Sequence, residues 1–207
     1  GVGTLVLADG DTVDLSNLQR QILHFTQDVG KAKVQSARNK LLALNPGVKI
    51  LAQKTRFTSA NAARLMAGCD LALDGSDNFE TRYAVNAACL AQGVPLVWGA
   101  VLRWEGQIMT VFPGQTACYE CLFPEPPDPA VAQSCANAGI VGAVAGAVGC
   151  LMATEGLKVL LGKGVPLAGR FWSLDFLKMQ VRERAVYRRK DCPHGAVRPA
   201  WKKRPLH

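Results

Sequence analysis

The sequence predicts an α/β fold, in which a doubly wound, mostly parallel sheet of the Rossmann type carries an antiparallel extension. Three observations predict it. Up to residue 99, short apolar runs alternate with longer segments in which apolar residues recur every three or four positions. Residues 103–112 alternate differently, as an antiparallel strand does. Hydrophobic residues make up 49% and charged residues 19% of the chain, which is typical of a globular protein with one core.

The first half of the chain is predicted to run as strand, helix, strand, helix. Residues 4–8 are a short apolar run, and residues 28–44 show helical spacing until Asn45-Pro46-Gly47 ends the pattern. In chain order we predict strands at 4–8, 48–52, 71–73 and 95–99, with helices at 28–44, 59–67 and 78–92 between them.

The second half is predicted to contain a long loop and one long helix. The loop at 113–136 is rich in proline, and connections of this length are usually functional. The helix at 137–161 contains an apolar run that is shorter than the ~20 residues needed to cross a membrane. We therefore expect a helix packed inside the protein and no membrane contact. Strands at 170–174 and 179–186 complete a domain that we expect to span residues 1–191.

The net charge of +8 is concentrated near the C-terminus. Residues 182–207 hold nine of the 24 Lys and Arg residues but two of the 16 Asp and Glu residues. The remainder is nearly neutral, which argues against nucleic-acid binding. We expect residues 192–207 to be a disordered basic tail. The chain opens without a signal peptide and has seven cysteines, so we expect a reducing, cytoplasmic location.

The segment DLSNLQRQ, residues 14–21, follows the first strand and concentrates hydrogen-bonding side chains. Arg20 suits bidentate binding of phosphate oxygens. Lys33 or Lys31 could add a positive charge, although an isolated lysine more often lies on a solvated helix face. Asp11 could bind ribose hydroxyls or simply belong to a turn. The other polar side chains that could hold the loop and a nucleotide are Ser16, Asn17, Gln19 and Gln21.

The third strand runs directly into Asp74-Gly75-Ser76-Asp77-Asn78. Carboxylates at the carboxyl end of a parallel strand suit Mg²⁺ that a nucleotide carries in. Asp77 could instead cap the helix that follows. Because the carboxyl ends of parallel strands meet at one sheet edge, we favour nucleotide binding for Asp77 together with Asp11, Arg20 and Lys33.

Several stretches together resemble a known enzyme family. DTVDLSNLQRQILH, VGKAKVQSA, LDGSDNFETRYAVN and EGQI with CYEC are similar, in order and spacing, to the ThiF/MoeB adenylating enzymes. The resemblance covers roughly residues 1–192. It implies an adenylyltransferase that uses ATP with Mg²⁺ to adenylate the C-terminal glycine of a ubiquitin-like sulfur carrier, MoaD- or ThiS-like, for molybdenum cofactor or thiamine biosynthesis. It also implies a homodimer.

The resemblance assigns a role to each candidate residue. Asp11 binds the ribose, while Arg20 and Lys33 bind the phosphates. Asp77 and Asn78 belong to the Mg-ATP site. The remaining nucleotide contacts fall to Ser16, Asn17, Leu18 and Gln19.

Cys118 and Cys121 have the spacing of half a zinc site, with a redox dithiol as the less favoured alternative. In the family a second Cys-x-x-Cys completes the site. This chain offers Cys192 but has Gly195 where the fourth cysteine would stand, and His194 is a substitute with poorer reach. We therefore expect a structural Zn²⁺ site that is incomplete.

Cys135 precedes the long predicted helix, and a helix N-terminus lowers the pKa of a thiol. The family places at this position a cysteine that can form a thioester or persulfide link with the carrier. The resemblance therefore gives Cys135 a catalytic role, although not every member needs it for adenylation.

A nucleotide-binding fold of this type opens with a strand and a glycine-rich turn. Gly1-Val2-Gly3 precedes a strand rather than following one, so we expect the N-terminal strand and its turn to be missing and this chain to be inactive alone. Two alternatives stay open: an inactive scaffold that retains carrier binding and dimerisation, and a redox or metal-handling protein. The residues Asp11, Arg20, Lys33 and Asp77 favour the enzyme.

Overall fold

The structure, a computed structural model, describes residues 1–128 and 139–194. The chain divides into two units, Gly1–Leu65 and Met66–His207, and each is described by itself. The predicted boundaries of a domain at 1–191 and a tail at 192–207 stay predictions.

The first unit is a parallel strand pair with its crossover helix. Strand β1 (Thr4–Ala8) pairs with β2 (Lys49–Gln53) in a register that matches Thr4 to Lys49 and Ala8 to Gln53. Helix α1 (Lys33–Leu44) joins them, because two parallel strands need a long crossover connection. Helix α2 (Ser59–Met66) follows β2 and ends at the unit boundary.

Helix α1 begins five residues later than predicted. Thr26–Asp28 form a short 3-10 turn, and Gly30 has a φ of 85°, in the left-handed region that a helix cannot include. The apolar spacing continues through this turn, so the sequence pattern did not reveal where the helix starts.

The second unit is a five-stranded sheet in the order β3-β4-β5-β6-β7. Strands β3 and β4 are parallel, and the remaining neighbours are antiparallel. The predicted α/β class with an antiparallel extension is therefore confirmed. The elements are β3 (Ala72–Asp74), α3 (Phe79–Gln92), β4 (Leu96–Leu102), β5 (Glu105–Val111), α4 (Tyr119–Leu122), α5 (Gly142–Leu161), β6 (Arg170–Asp175) and β7 (Gln180–Ala185).

Four strands lie at sheet edges in the part of the chain that is described. There, β1 and β2 pair only with each other, β3 pairs only with β4, and β7 pairs only with β6. The predicted loop at 113–136 is also partly wrong, because α4 forms within it. A helix of four residues is too short to leave a periodic signal.

Helix α5 packs on the second sheet and supplies much of its core. Val144, Val148 and Met152 of α5 are buried in one cluster with Val97 and Ile108 of the sheet. Gly106 of β5 makes this close approach possible, because a Cβ atom there would lie 2.5 Å from Cγ2 of Val148. By length and composition alone, α5 could also cross a membrane. In this unit, however, its apolar residues pack on the sheet.

A buried carboxylate ties α5 to the sheet. Oε2 of Glu155 accepts hydrogen bonds from the Thr110 hydroxyl at 2.7 Å and from the Leu167 amide at 2.6 Å. Its other oxygen pairs with the Lys158 ammonium. Every polar group in this contact is therefore satisfied by the same side chain.

Replacing Glu155 with alanine is expected to lower the free energy of unfolding by about 3 kcal/mol, because the Thr110 hydroxyl and the Leu167 amide would stay buried without an acceptor. Urea unfolding of the two proteins measures this difference. The exposed Glu105→Ala variant serves as the control and should change stability by less than about 0.5 kcal/mol. A loss below about 1 kcal/mol in Glu155→Ala would contradict the assigned role.

Candidate functional site

The loop of the first unit is organised by Asp14, which the sequence analysis did not single out. Its Oδ1 accepts hydrogen bonds from the Ser16 amide at 2.8 Å and the Ser16 hydroxyl at 2.5 Å. These bonds, the hydroxyl first, hold the pKa of Asp14 below its usual value. The side-chain Nδ2 of Asn17 in turn donates to the Ser16 hydroxyl at 3.1 Å. Ser16 and Asn17 therefore hold the loop together, and the Asp-x-Ser spacing was the signal for it.

Arg20 lies at the end of this loop with most of its hydrogen-bonding capacity unused. Its guanidinium donates one long hydrogen bond, 3.4 Å, to the Ser16 carbonyl, and it has no other hydrogen bond or ion pair with the described residues. A guanidinium has five N–H donors, so Arg20 can still bind an anion bidentately. Nearby, Leu18 is partly buried and Gln19 is exposed.

Lys33 and Asp11 are brought together at the start of α1. The Lys33 ammonium lies 3.2 Å from Oδ2 of Asp11 and 3.9 Å from Oδ2 of Asp9. The Lys33 side chain is 13% exposed, so it is not a solvated lysine on a helix face. Arg56, which the sequence analysis missed, adds a second cation 3.7 Å from Oδ1 of Asp11. Asp11, which is predicted to bind the ribose, and Lys33, which is predicted to bind phosphate, therefore lie in one charged cluster.

Lys31, the alternative to Lys33, belongs to a different cluster. It pairs with Asp28 at 3.3 Å. The buried Asp28 carboxylate also accepts a bond from the Phe25 amide at 2.9 Å and pairs with the Lys40 ammonium. The Lys40 contact, followed by the Phe25 amide, holds the pKa of Asp28 well below its usual range. This cluster fixes the turn that precedes α1.

The lowered pKa of Asp28 predicts a loss of stability in acid. An unfolded aspartate takes up its proton near pH 4, whereas folded Asp28 resists it, so its contribution is complete above about pH 5 and is lost as the pH falls towards about 2. Urea midpoints measured across this range should fall more steeply for the wild type than for Asp28→Asn. Parallel curves for the two proteins would show that Asp28 does not contribute.

In the second unit, Asp77 and Asn78 follow the end of β3 and have different contacts. Oδ1 of Asn78 accepts the Thr81 amide at 2.8 Å and caps α3, so the capping role falls to Asn78 rather than to Asp77. Asp77 is exposed, and no described residue forms a hydrogen bond or ion pair with its carboxylate. The Asp77 carboxylate is therefore available to a cation.

Three cysteines meet elsewhere in the second unit. The Cys118 sulfur lies 3.7 Å from the sulfurs of Cys121 and Cys192, and all three lie within 4.8 Å of one another. Thiolates bound to Zn²⁺ at about 2.3 Å in a tetrahedron are roughly 3.8 Å apart. The three sulfurs therefore fit three corners of a zinc site.

His194 does not join this cluster among the described residues. Its Nε2 contacts Oε1 of Glu120 at 2.5 Å. Burial raises the pKa of Cys118 to about 12. For Cys121 the effect of burial is outweighed by hydrogen bonds, first from the Arg189 amide, so its pKa is lowered. The two neighbouring thiols therefore differ: burial opposes the ionisation of Cys118, whereas hydrogen bonds favour the ionisation of Cys121.

Asn86 supports the cysteine cluster, and sequence analysis missed it. It is fully buried on α3. Its Oδ1 accepts the Tyr119 amide at 3.0 Å, and its Nδ2 donates to Oε1 of Glu120 at 3.3 Å. These bonds fix the chain between Cys118 and Cys121, and a single asparagine inside a helix gives no sequence signal for such a role.

Cys135, the predicted link to a carrier, lies outside the described residues, as do Gly195 and the rest of the predicted basic tail. Their assignments stay predictions.

Comparison with known proteins gives a consistent result. A model of the ThiF family matches residues 1–194. The sulfur carrier protein adenylyltransferase of Thermus thermophilus is 46% identical over 198 residues, covering 93% of this chain and 73% of that protein. The SAMP-activating enzyme E1 of Haloferax volcanii is 43% identical over 193 residues, covering 93% of this chain and 71% of that protein.

A solved structure shares the fold at low identity. The structure of E. coli MccB with MccA-N7isoASN superposes with a TM-score of 0.80 and 19% identity, covering 94% of this chain. The chain spans 60% of that MccB chain. At this identity the likeness concerns the fold alone.

Proposed function

Because the chain belongs to the ThiF family, we propose that its protein uses ATP to adenylate the C-terminal glycine of a small ubiquitin-like sulfur carrier. The observation that carries this proposal is the charged cluster of Asp11 and Lys33, whose side chains meet at 3.2 Å at the start of α1. A carboxylate for a ribose and a partly buried ammonium for phosphates are the groups that nucleotide binding needs at a strand end.

The chemistry explains why cations are needed. The carrier's C-terminal carboxylate attacks the α-phosphate of ATP, a bond forms between them, and pyrophosphate leaves. Since two anions approach each other, positive groups must neutralise the charge that builds up. We assign this role to Arg20 and Lys33, and we assign Asp11 to the ribose. Asp77 takes the Mg²⁺ that arrives with the nucleotide.

The loop residues and Asn78 receive supporting roles. Ser16, Asn17, Leu18 and Gln19 present the nucleotide to Arg20, and the side-chain hydrogen bonds that join Asp14, Ser16 and Asn17 hold the loop. Asn78 starts α3 directly after Asp77, so its cap bond sets where the helix begins.

The carrier's pathway and the assembly are part of the proposal. One relative is named for a sulfur carrier and another for SAMP activation, which supports a carrier protein as the partner. We assign the carrier to the MoaD- or ThiS-like type that serves molybdenum cofactor or thiamine biosynthesis. We further propose a cytoplasmic homodimer, a structural Zn²⁺ at Cys118, Cys121 and Cys192, and a covalent carrier link through Cys135.

The test is ATP–pyrophosphate exchange by the full-length protein in the presence of purified carriers of both types. Exchange with one carrier, and none with the same carrier lacking its last glycine, would support the proposal. A carrier that binds without any exchange would instead establish the scaffold alternative and overturn the assigned activity.

A further inference from the structure

We infer that Asp74 and Arg82 are positioning residues that clamp the main chain of Ser76 and thereby direct the carboxylate of Asp77. The inference rests on the proposed function, in which Asp77 takes the nucleotide's Mg²⁺. It concerns residues of the second unit alone, at the turn between β3 and α3.

Asp74 holds one side of Ser76. It is the last residue of β3 and is 6% exposed. Its Oδ1 accepts the Ser76 amide at 2.9 Å. The peptide group before Ser76 is therefore fixed by a side chain that is itself held in the sheet.

Arg82 holds the other side of Ser76. Its Nε and Nη2 donate to the Ser76 carbonyl at 3.1 and 2.9 Å. The guanidinium also lies over the Phe79 ring, 5.1 Å from its centre. Two donors on one carbonyl fix its direction as well as its distance, which a single ammonium cannot do.

The two contacts together determine where Asp77 points. The carbonyl that Arg82 binds belongs to the peptide bond between Ser76 and Asp77, and the Asn78 cap fixes the chain on the other side. The backbone of Asp77 is thus held from both directions, and its carboxylate has no hydrogen bond or ion pair with any described residue. Displacement of a reacting group by about 1 Å can cost about 100-fold in rate, so such control is needed at a metal ligand.

Asp74 could instead act through its charge, as a second carboxylate for Mg²⁺. Its bond to the Ser76 amide through Oδ1 favours the positioning role, whereas Oδ2, which is buried and has no hydrogen-bond partner among the described residues, would suit the charge role. The two roles differ in their response to asparagine, which keeps an oxygen acceptor but loses the charge.

The experiment measures Mn²⁺ binding by electron paramagnetic resonance, using the full-length protein with a non-hydrolysable ATP analogue. We expect the dissociation constant to rise about tenfold in Arg82→Met and less in Arg82→Lys, whose ammonium can still donate to the Ser76 carbonyl but lacks the paired Nε and Nη2 donors. Asp74→Asn should stay within about threefold of the wild type, whereas Asp74→Ala should match Arg82→Met. The helical Arg64→Met variant is the matched control and should bind as the wild type does.

A second measurement does not depend on the nucleotide. Amide hydrogen exchange at Ser76 should be about tenfold faster in Arg82→Met and Asp74→Ala than in the wild type and Arg64→Met. Unchanged exchange, or Mn²⁺ binding equal to that of the wild type, would overturn the clamp while leaving the proposed function intact. Equal damage by Asp74→Asn and Asp74→Ala would assign Asp74 to the charge role instead. A wild type that binds no Mn²⁺–nucleotide would overturn the proposed function and the inference with it.

Discussion

Alanine in place of Arg20 or Asp77 is expected to lower carrier-dependent ATP–pyrophosphate exchange by about 10²- to 10³-fold, which corresponds to about 2.7–4 kcal/mol. Arg20 loses a bidentate contact with developing negative charge, and Asp77 loses the metal ligand. Within the described residues, the Arg20 guanidinium makes one long hydrogen bond, and the Asp77 carboxylate makes no hydrogen bond or ion pair. Their removal should therefore leave the fold unchanged. The exchange assay on full-length protein measures the rate, and thermal unfolding checks the fold.

Two variants at the opposite strand ends are the matched controls. Lys49 starts β2 and Asp70 precedes β3, so each carries the same type of charge away from the carboxyl ends of the strands. Lys49→Ala and Asp70→Ala should retain full exchange. Exchange within about threefold of wild type in Arg20→Ala or Asp77→Ala would show that the assigned residues do not act on the nucleotide.

Loss of the Cys118 thiolate is expected to weaken zinc binding by at least about 100-fold. Cys118 is the sulfur that lies 3.7 Å from both of the others, so its replacement by serine removes the shared corner of the cluster. Elemental analysis after gel filtration, with competition by a chromogenic chelator, measures the metal content and affinity. The exposed Cys150→Ser variant should bind zinc as the wild type does.

Adding a fourth cysteine is expected to strengthen zinc binding. Gly195→Cys restores the second Cys-x-x-Cys spacing and should tighten zinc binding, because a thiolate replaces a weaker ligand. Zinc that is held tightly and survives both Cys118→Ser and Cys192→Ala would rule out the assigned site.

Local sequence patterns were sufficient to predict the strands and the fold class. Strand β1 was predicted with its observed bounds, and β2 was displaced by one residue. Both are short apolar runs with clear ends, so their own composition defines them. The start of α1 could not be predicted in this way, because it depends on Asp28 binding Lys40, which is twelve residues away on the helix itself.

Candidate site residues could be proposed from the sequence where side-chain type indicates their chemistry, and supporting residues were missed where they depend on tertiary contacts. Arg20 and Lys33, with Lys31 as an alternative, could be proposed from charge and position, and their assigned roles stay predictions. Arg82 and Asn86 could not, because each acts on the main chain of a distant or turned segment. Both lie within α3, where their spacing is that of any helical residue.

Gly106 lets α5 lie close to the sheet because it has no side chain. A methyl group at this position would push Val148 and the stiff helix around it away from the sheet. Because α5 is a continuous helix of 20 residues, about 30 Å long, a displacement at Val148 would also move neighbouring turns of the helix. At β3 the same helix approaches through a second glycine, Gly156, where a Cβ atom would lie 2.9 Å from Leu71, so two glycines let α5 lie close to the sheet that carries Asp74.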